Sequence, residues 1–204
     1  HSPVPDASTP GRSFNPVGIR PLILRPYTRG WLLVLAGFTV PGVAWCESSV
    51  PAGYQSVAAE RGIPAPILYA MALTESGKQV DQPDGYRPWP WTLNVAGRGY
   101  YFISRLDAWR ALTGWLEAGK RSIDIGLMQV NWRYQQDRLG TPWQALEPYH
   151  NLRVGAEILH DCYKKRADDW WASVGCYHAP SNRERAERYR RRVMSRWQRL
   201  VRAG

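Results

Sequence analysis

Apolar side chains recur with the 3.6-residue period of an α-helix over most of the chain beyond residue 50. The first such run follows Pro64-Ala65-Pro66 and ends at Glu75-Ser76-Gly77. Because proline is tolerated in a first helical turn, this pattern predicts a helix over residues 64–75, with Glu75 at its end. The same period predicts further helices near residues 104–118, 141, 152–163 and 181–200.

Capping signals mark where two of these helices begin. Thr141 is followed by Gln144, and Ser181 by Glu184, each three residues later. This spacing is that of a capping box, in which both side chains bond the backbone of the first turn. The sequence therefore predicts helix starts at Thr141 and Ser181.

One stretch of β-prone residues interrupts the helical pattern. The runs 91–95 and 100–103 flank the glycine-containing segment 96–99, which predicts a β-hairpin with a four-residue turn. No internal repeat or second core is visible in the sequence. We therefore expect one mainly α domain with a small β-hairpin over residues 47–204.

A short apolar stretch near the beginning of the chain has the pattern of an export signal. Residues 31–44 follow Arg25 and Arg29 and end in small residues and a proline. The stretch is shorter than the roughly 20 residues that a membrane-spanning helix needs. The sequence thus predicts a leader over residues 1–46, export to the periplasm or cell envelope, and no stable membrane span once the signal is removed.

The chain is basic, with a formal net charge of +10. This charge suits an anionic polymer or surface, and both nucleic acid and the cell wall meet that description. The arginine-rich segment 183–202 alone would suggest nucleic acid. Its arginines are expected on the outward face of a helix, and the export signal argues for the cell wall and against nucleic acid as the partner.

Cys162 and Cys176 are the two cysteines of the predicted domain. In an oxidising compartment they could form a disulfide, and two buried thiols would suit the same positions equally well. No Cys-x-x-Cys or His-Glu-x-x-His spacing accompanies them, so no metal site is expected.

Glu75 is the first candidate for chemistry. It follows Leu68 by seven residues and Met71 by four, so all three share one face of the predicted helix. One interpretation is an exposed residue at a helix end, near Lys78. The other is a carboxyl kept protonated near neutral pH by desolvation, as a general acid for glycosidic cleavage requires.

A second candidate is the segment 121–132, which contains Asp124, Gly126, Gln129 and Asn131. An acid, a glycine and two amides in this order do not fit one amphipathic element. They fit a turn that places backbone and amide groups beside a sugar, with Gly126 allowing close approach.

These residues carry a family resemblance. Glu75-Ser76-Gly77, the segment 122–131, Gly175-Cys176-Tyr177-His178-Ala179 and Arg188-Tyr189-Arg190 occur in the order seen in lytic transglycosylases with the soluble-lytic-transglycosylase (SLT) domain. The resemblance covers residues 51–197 and is closest to the small members that accompany conjugation, type IV and type III secretion machines. It implies a lysozyme-like fold, no cofactor, peptidoglycan strands as substrate and components of such a machine as partners.

The resemblance also implies residue roles. Glu75 would be the single acid/base: it would protonate the glycosidic oxygen between N-acetylmuramic acid and N-acetylglucosamine. It would then take the proton of the muramoyl 6-hydroxyl, whose attack closes a 1,6-anhydro ring. The implied substrate-binding residues are Ser76, Gly126, Met128, Gln129, Asn131, Tyr177, His178 and Tyr189.

Asp124 leaves a second activity open. Its segment also resembles the part of animal-type lysozymes that carries their second carboxylate, and two carboxyls across a sugar are the requirement of a hydrolase. If Asp124 faces Glu75, a muramidase of the same fold becomes the alternative. The other interpretation is that Asp124 only orders its turn through local hydrogen bonds.

The segment 176–180 departs from the family pattern. Related chains commonly have Ala-Tyr-Asn-Ala-Gly where this one has Cys-Tyr-His-Ala-Pro. His178 either replaces the amide of the family asparagine or is a polar residue at a helix end. A non-catalytic peptidoglycan-binding scaffold is therefore a further alternative.

Overall fold

The computed structural model describes residues 50–81 and 85–203, and this part of the chain is mainly helical. Its helices are α1 (Ala52–Ala59), α2 (Ala65–Ser76), α3 (Arg105–Glu117), α4 (Trp132–Leu139), α5 (Pro142–Ala145), α6 (Pro148–Lys165), α7 (Trp170–His178) and α8 (Arg183–Ala203). Its strands are β1 (Gly77–Gln79), β2 (Tyr86–Pro88), β3 (Thr92–Val95), β4 (Arg98–Tyr101), β5 (Ile123–Ile125) and β6 (Val130–Asn131). The predicted fold class is confirmed.

Helix α2 lies at the centre of the core. Every residue from Ile67 to Leu73 is buried, and Leu68 and Met71 have no exposed surface. A helix that is apolar all round must be covered on several sides. Helices α1 and α8 pack against α2, and α7 packs against both α6 and α8.

The predicted hairpin is present, with a shorter turn than expected. Val95 pairs with Arg98, so only Ala96 and Gly97 connect β3 to β4. Both have positive φ, 53° and 82°, as a two-residue turn between twisted strands requires. The prediction of a four-residue turn was wrong, because Arg98 and Gly99 belong to the second strand.

The hairpin is part of a larger antiparallel sheet with the strand order β4-β3-β5-β6. Residue Asn94 of β3 is paired with Asp124 of β5, and Asp124 is paired with Asn131 of β6. The segment that contains the candidate acid and amides therefore forms a strand, a tight connection and a second strand. A separate two-stranded sheet pairs β1 with β2, directly after the helix that ends at Ser76.

The helix caps confirm one predicted start and correct the other. Thr141 and Gln144 form the expected capping box at α5. Helix α8 begins one residue later than predicted, because the side chain of Asn182 and not that of Ser181 accepts the hydrogen bond from the Arg185 N–H, at 2.9 Å. An asparagine is a strong N-cap residue and displaces the serine before it.

A disulfide joins the last turns of α6 and α7. Cys162 and Cys176 are bonded, with their Cα atoms 5.9 Å apart. Both side chains are buried. The bond fixes α7, which carries Tyr177 and His178, against α6.

The predicted leader, residues 1–46 with its apolar stretch 31–44, lies outside the described residues. Within residues 50–81 and 85–203, no helix combines the length and the apolar character needed to cross a bilayer.

Candidate active site

Glu75 is the penultimate residue of α2 and keeps part of its side chain exposed. The pKa of Glu75 is raised to about 7, mainly because the carboxyl is buried. The charge of Asp124 also raises this pKa, whereas a hydrogen bond from Tyr189 and the charge of Arg192 lower it. A carboxyl with this pKa exists in both protonation states near neutral pH. It can therefore donate a proton in one step and accept one in the next.

The Tyr189 hydroxyl interacts with the Glu75 carboxyl from within the core. The Tyr189 side chain is 1% exposed, and its hydroxyl has no partner at regular hydrogen-bond geometry among the described residues. Its effect on Glu75 is that of a hydrogen-bond donor, which lowers the pKa of that carboxyl. Burial and the charge of Glu75 raise the pKa of Tyr189 well above its ordinary value, so its hydroxyl remains a donor.

Ser76 connects the end of α2 to the connection between β5 and β6. Its single hydroxyl hydrogen is shared between the Leu127 carbonyl at 2.8 Å and the Ala72 carbonyl at 3.2 Å. The side chain has no exposed surface. The structure places this predicted substrate-binding residue in the core, where its hydroxyl fixes the loop relative to Glu75, and its contact with substrate stays a prediction.

Asn151 of α6 holds the loop from beneath, and the sequence analysis missed it. Its side-chain oxygen accepts a hydrogen bond from the Met128 N–H at 3.0 Å. Its amide nitrogen donates to the carbonyls of Ile125 at 2.9 Å and Ala145 at 3.1 Å. The signal in the sequence is an asparagine on an otherwise apolar helix face, next to Leu152, which is costly unless every polar atom is paired.

Gly126 is required by this arrangement. Its φ is +79°, and a Cβ atom at this position would lie 2.5 Å from the Asn151 side chain. Only glycine satisfies both conditions without strain. The group that approaches Gly126 closely in the structure is therefore the side-chain amide of Asn151, which lies beneath the loop.

A hydrogen bond joins Tyr177 of α7 to the backbone of the loop at Met128. The Tyr177 hydroxyl donates to the Met128 carbonyl at 2.7 Å. The Met128 side chain is fully buried and fills the space above Gly155, where an added Cβ atom would lie 2.5 Å from it. The whole residue, backbone included, has no exposed surface, so Met128 supports the loop from within the core.

Gln129 and Asn131 have their amides engaged by the protein. The Gln129 amide nitrogen donates to the carbonyls of Gly126 at 3.0 Å and Thr92 at 3.2 Å, and the residue has a φ of +47°. Asn131 donates to the Asp124 carboxylate at 2.7 Å, and its side-chain oxygen caps α4. Both side chains remain partly exposed and lie on the strand pair that carries Asp124.

Asp124 belongs to the same electrostatic site as Glu75. Burial raises the pKa of Asp124, and the hydrogen bond from Asn131 lowers it. The Asp124 charge in turn raises the pKa of Glu75 and of Tyr177. The structure thus places the two carboxyls close enough to interact, and it also gives Asp124 the local hydrogen bond expected of a residue that orders its turn.

His178 is an exposed residue at the end of α7. Its ring stacks on Tyr189 with 4.4 Å between centroids and 6° between planes. Burial, Arg192 and Arg185 lower the pKa of His178, in that order, so the imidazole is neutral at neutral pH. It covers the ring whose hydroxyl meets Glu75.

The site is therefore a carboxyl with a near-neutral pKa, a buried phenol beside it, and a loop whose backbone is fixed by Ser76 and Asn151. Among residues 50–81 and 85–203, no three His, Cys, Asp or Glu side chains are placed to hold a metal ion. A carboxyl in such surroundings is suited to acid/base chemistry.

The comparison with known families agrees with this class. The chain belongs to the transglycosylase SLT domain family, whose model matches residues 54–198. The match includes Glu75, the loop and α8 almost to its end.

Individual relatives match a shorter segment. The chain is similar to the type IV secretion system protein virB1 of Brucella abortus (strain 2308), Brucella suis biovar 1 (strain 1330) and Brucella melitensis biotype 1, with 41% identity over 51 residues. That segment is 24% of this chain and 21% of each relative, so the match spans about a fifth of their length. No solved structure matches the chain significantly.

Proposed function

We propose that this protein is a peptidoglycan lytic transglycosylase, which cleaves the β-1,4 bond between N-acetylmuramic acid and N-acetylglucosamine and leaves a 1,6-anhydro ring on the muramoyl product. The observation that carries the proposal is the Glu75 carboxyl, whose pKa burial raises to about 7. Its position within the matched SLT domain supports the same assignment.

Glu75 is assigned both proton transfers. In the protonated state it donates its proton to the glycosidic oxygen, and the bond from that oxygen to the muramoyl C1 breaks. The resulting Glu75 carboxylate then accepts the proton of the muramoyl 6-hydroxyl as that oxygen bonds to C1. No water is consumed, and Glu75 returns to its starting state, so one carboxyl is sufficient.

The surrounding residues are assigned positioning roles. Tyr189 stabilises the carboxylate that forms after the first transfer, because its hydroxyl is a donor beside Glu75. Ser76 and Asn151 fix the loop from Gly126 to Met128 at a set distance from the carboxyl. Such fixed geometry is what converts binding energy into rate.

We place the reaction in the cell envelope and assign the protein to the local opening of the wall for a secretion or conjugation apparatus. The predicted export signal and the similarity to type IV secretion system proteins support this. The basic surface suits an anionic wall.

A muramidase remains the second candidate because Asp124 interacts with Glu75. A hydrolase would use Asp124 to stabilise or activate the second step, with water as the acceptor. The Asn131 hydrogen bond to Asp124 at 2.7 Å favours the role of ordering the strand pair, since it occupies one carboxylate oxygen.

The test is digestion of purified peptidoglycan followed by mass spectrometry of the released muropeptides. We expect anhydro-muramoyl products from the unaltered protein, none from Glu75→Gln, and unchanged products from Glu117→Gln, which alters an exposed carboxylate of α3. Reducing-end products would favour the hydrolase, and equal release by Glu75→Gln would exclude Glu75 as the acid. Binding of peptidoglycan without any release would instead support the scaffold.

A further inference from the structure

The described part of α8 carries a shallow groove, open to solvent and lined almost entirely by arginine. Its volume is about 530 Å³. The lining residues are Arg188, Arg191, Arg192, Ser195, Arg196 and Arg199. We call it the arginine groove.

Two of the groove arginines are neutralised by their own helix. Arg188 forms an ion pair with Glu184, and Arg191 lies 3.7 Å from Glu187. In this respect they resemble the ordinary charged surface of a solvated helix.

The other three differ. Within residues 50–81 and 85–203, Arg192, Arg196 and Arg199 have no carboxylate oxygen within 4.0 Å. Arg196 instead donates to the Tyr86 hydroxyl at 3.1 Å and lies over the Tyr86 ring, and Arg199 donates to the Ser195 hydroxyl at 3.1 Å. Neutral groups thus position Arg196 and Arg199 and leave their charge uncompensated, while Arg192 interacts with the Glu75 carboxyl at longer range.

The spacing of the three places them on one helix face. They follow one another by four and three residues, so they form a row that spans roughly 10 Å along α8. Like charges at this spacing destabilise a helix. A ligand with several carboxylates would offset that repulsion, and the planar guanidinium group binds carboxylates through two parallel hydrogen bonds.

The row begins at the candidate active site. Arg192 lies over the Tyr189 ring, 5.5 Å from its centroid, and lowers the pKa of Glu75. The groove therefore has one end, at Arg192, close to the Glu75 site.

We infer that the arginine groove binds the acidic stem peptide that the muramoyl sugar carries, through carboxylates paired with Arg192, Arg196 and Arg199. This inference rests on the proposed function. The peptide is attached to the muramoyl sugar whose glycosidic oxygen Glu75 would protonate. It is also the part of that substrate that carries several negative charges. Nucleic acid and anionic lipid share its charge but lack any link to the Glu75 site.

The test measures binding of a soluble N-acetylglucosaminyl-muramoyl disaccharide, which lacks the bond that is cleaved, with its stem peptide attached. Titration calorimetry would compare this fragment with the same fragment after its carboxylates are amidated. For the unaltered protein we expect amidation to weaken binding about tenfold, since ion-assisted hydrogen bonds are lost.

The double variant Arg196→Gln/Arg199→Gln should bind the acidic fragment about tenfold more weakly. Its matched control is Arg133→Gln/Arg202→Gln, which removes the same charge at exposed positions outside the groove and should bind as the unaltered protein does. The amidation comparison uses the unaltered chain, so the test holds even if a variant fails to fold.

Equal affinities of the two double variants, or no effect of amidation, would overturn the groove assignment. So would loss of binding to duplex DNA or to phosphatidylglycerol vesicles by Arg196→Gln/Arg199→Gln while the acidic fragment still binds. The proposed function is tested separately by digestion of peptide-free glycan strands with the unaltered protein. Failure to release anhydro products from those strands contradicts the function and leaves the fragment affinities to decide the groove.

Discussion

The ring of His178 lies flat on the ring of Tyr189, with 4.4 Å between centroids, while the Tyr189 hydroxyl meets the Glu75 carboxyl. Tyr189 is thus held between an exposed imidazole and the candidate acid. A buried phenol that donates a hydrogen bond to a carboxyl stabilises the charged form of that carboxyl. The Tyr189 hydroxyl therefore lowers the pKa of Glu75.

Replacement of Tyr189 by phenylalanine should raise the pKa of Glu75 above about 7, because the hydrogen bond that lowers it is removed. A general acid must be protonated, so the loss of activity at high pH should move to still higher pH. The measurement is kcat/KM for wall digestion as a function of pH.

The control is Tyr177→Phe, because the Tyr177 hydroxyl donates to the Met128 carbonyl and not to Glu75. It should cost some stability and leave the alkaline limb in place. A limb that is unmoved in Tyr189→Phe, or that moves equally in both variants, would show that Tyr189 does not set the pKa of Glu75.

Gly126→Ala should destabilise the fold by about 2 kcal/mol or more, because a left-handed backbone costs an alanine about 1–2 kcal/mol and its Cβ atom would lie 2.5 Å from the Asn151 side chain. Gly114→Ala is the matched control: nothing lies within 4 Å of its Cβ position in α3, and alanine there should stabilise the helix by roughly 0.5–1 kcal/mol. Denaturant unfolding measures both. Similar free energies of unfolding for the two variants would contradict this account of the loop.

Glu75→Gln should be stabilising in a pH-dependent way. In the folded protein the pKa of Glu75 is raised from 4.5 to about 7, so the unaltered protein loses stability as pH rises through that window and the buried carboxyl ionises. Glutamine does not ionise. The difference in free energy of unfolding should therefore grow in favour of the variant by about 1–3 kcal/mol, given about 1.4 kcal/mol per pKa unit and some solvent screening. A difference that stays constant with pH would place Glu75 in ordinary solvent.

The Cys162–Cys176 disulfide closes a loop with a sequence separation of 14 residues. Cross-links of this size stabilise by about 3 kcal/mol, so Cys162→Ala/Cys176→Ala should lower the free energy of unfolding by about that amount. A reductant should have the same effect on the unaltered protein and none on the variant. If the reductant leaves the free energy of unfolding of the unaltered protein unchanged, the disulfide contributes nothing to stability.

Local patterns were enough to predict several elements. The helix that ends at Glu75, the hairpin and the Thr141 capping box each depend on residues within a few positions of one another. The chemistry of Glu75 was predictable only as one of two interpretations, because the sequence does not show whether a carboxylate near a helix end is exposed or is buried, where its charge is costly.

Features that depend on distant pairing were not predicted. The strand β5 joins β3 across some 30 positions of the chain, and Asn151 meets partners as far as 26 residues away. The arginine groove belongs to the same group: the outward face of α8 was predicted, but the packing of α8 on α2 decides which arginines end beside Glu75. The Asn182 cap was missed for a local reason, since Ser181 and Asn182 could both cap the helix and the capping-box spacing favoured Ser181.

Digestion of peptidoglycan in heavy-oxygen water tests the central claim most directly. A lytic transglycosylase closes the ring with the muramoyl 6-hydroxyl, so the account predicts anhydro-muramoyl products without heavy oxygen from the unaltered protein, and no products from Glu75→Gln. Reducing-end products that carry heavy oxygen would contradict it, because water and not the internal hydroxyl would then be the acceptor.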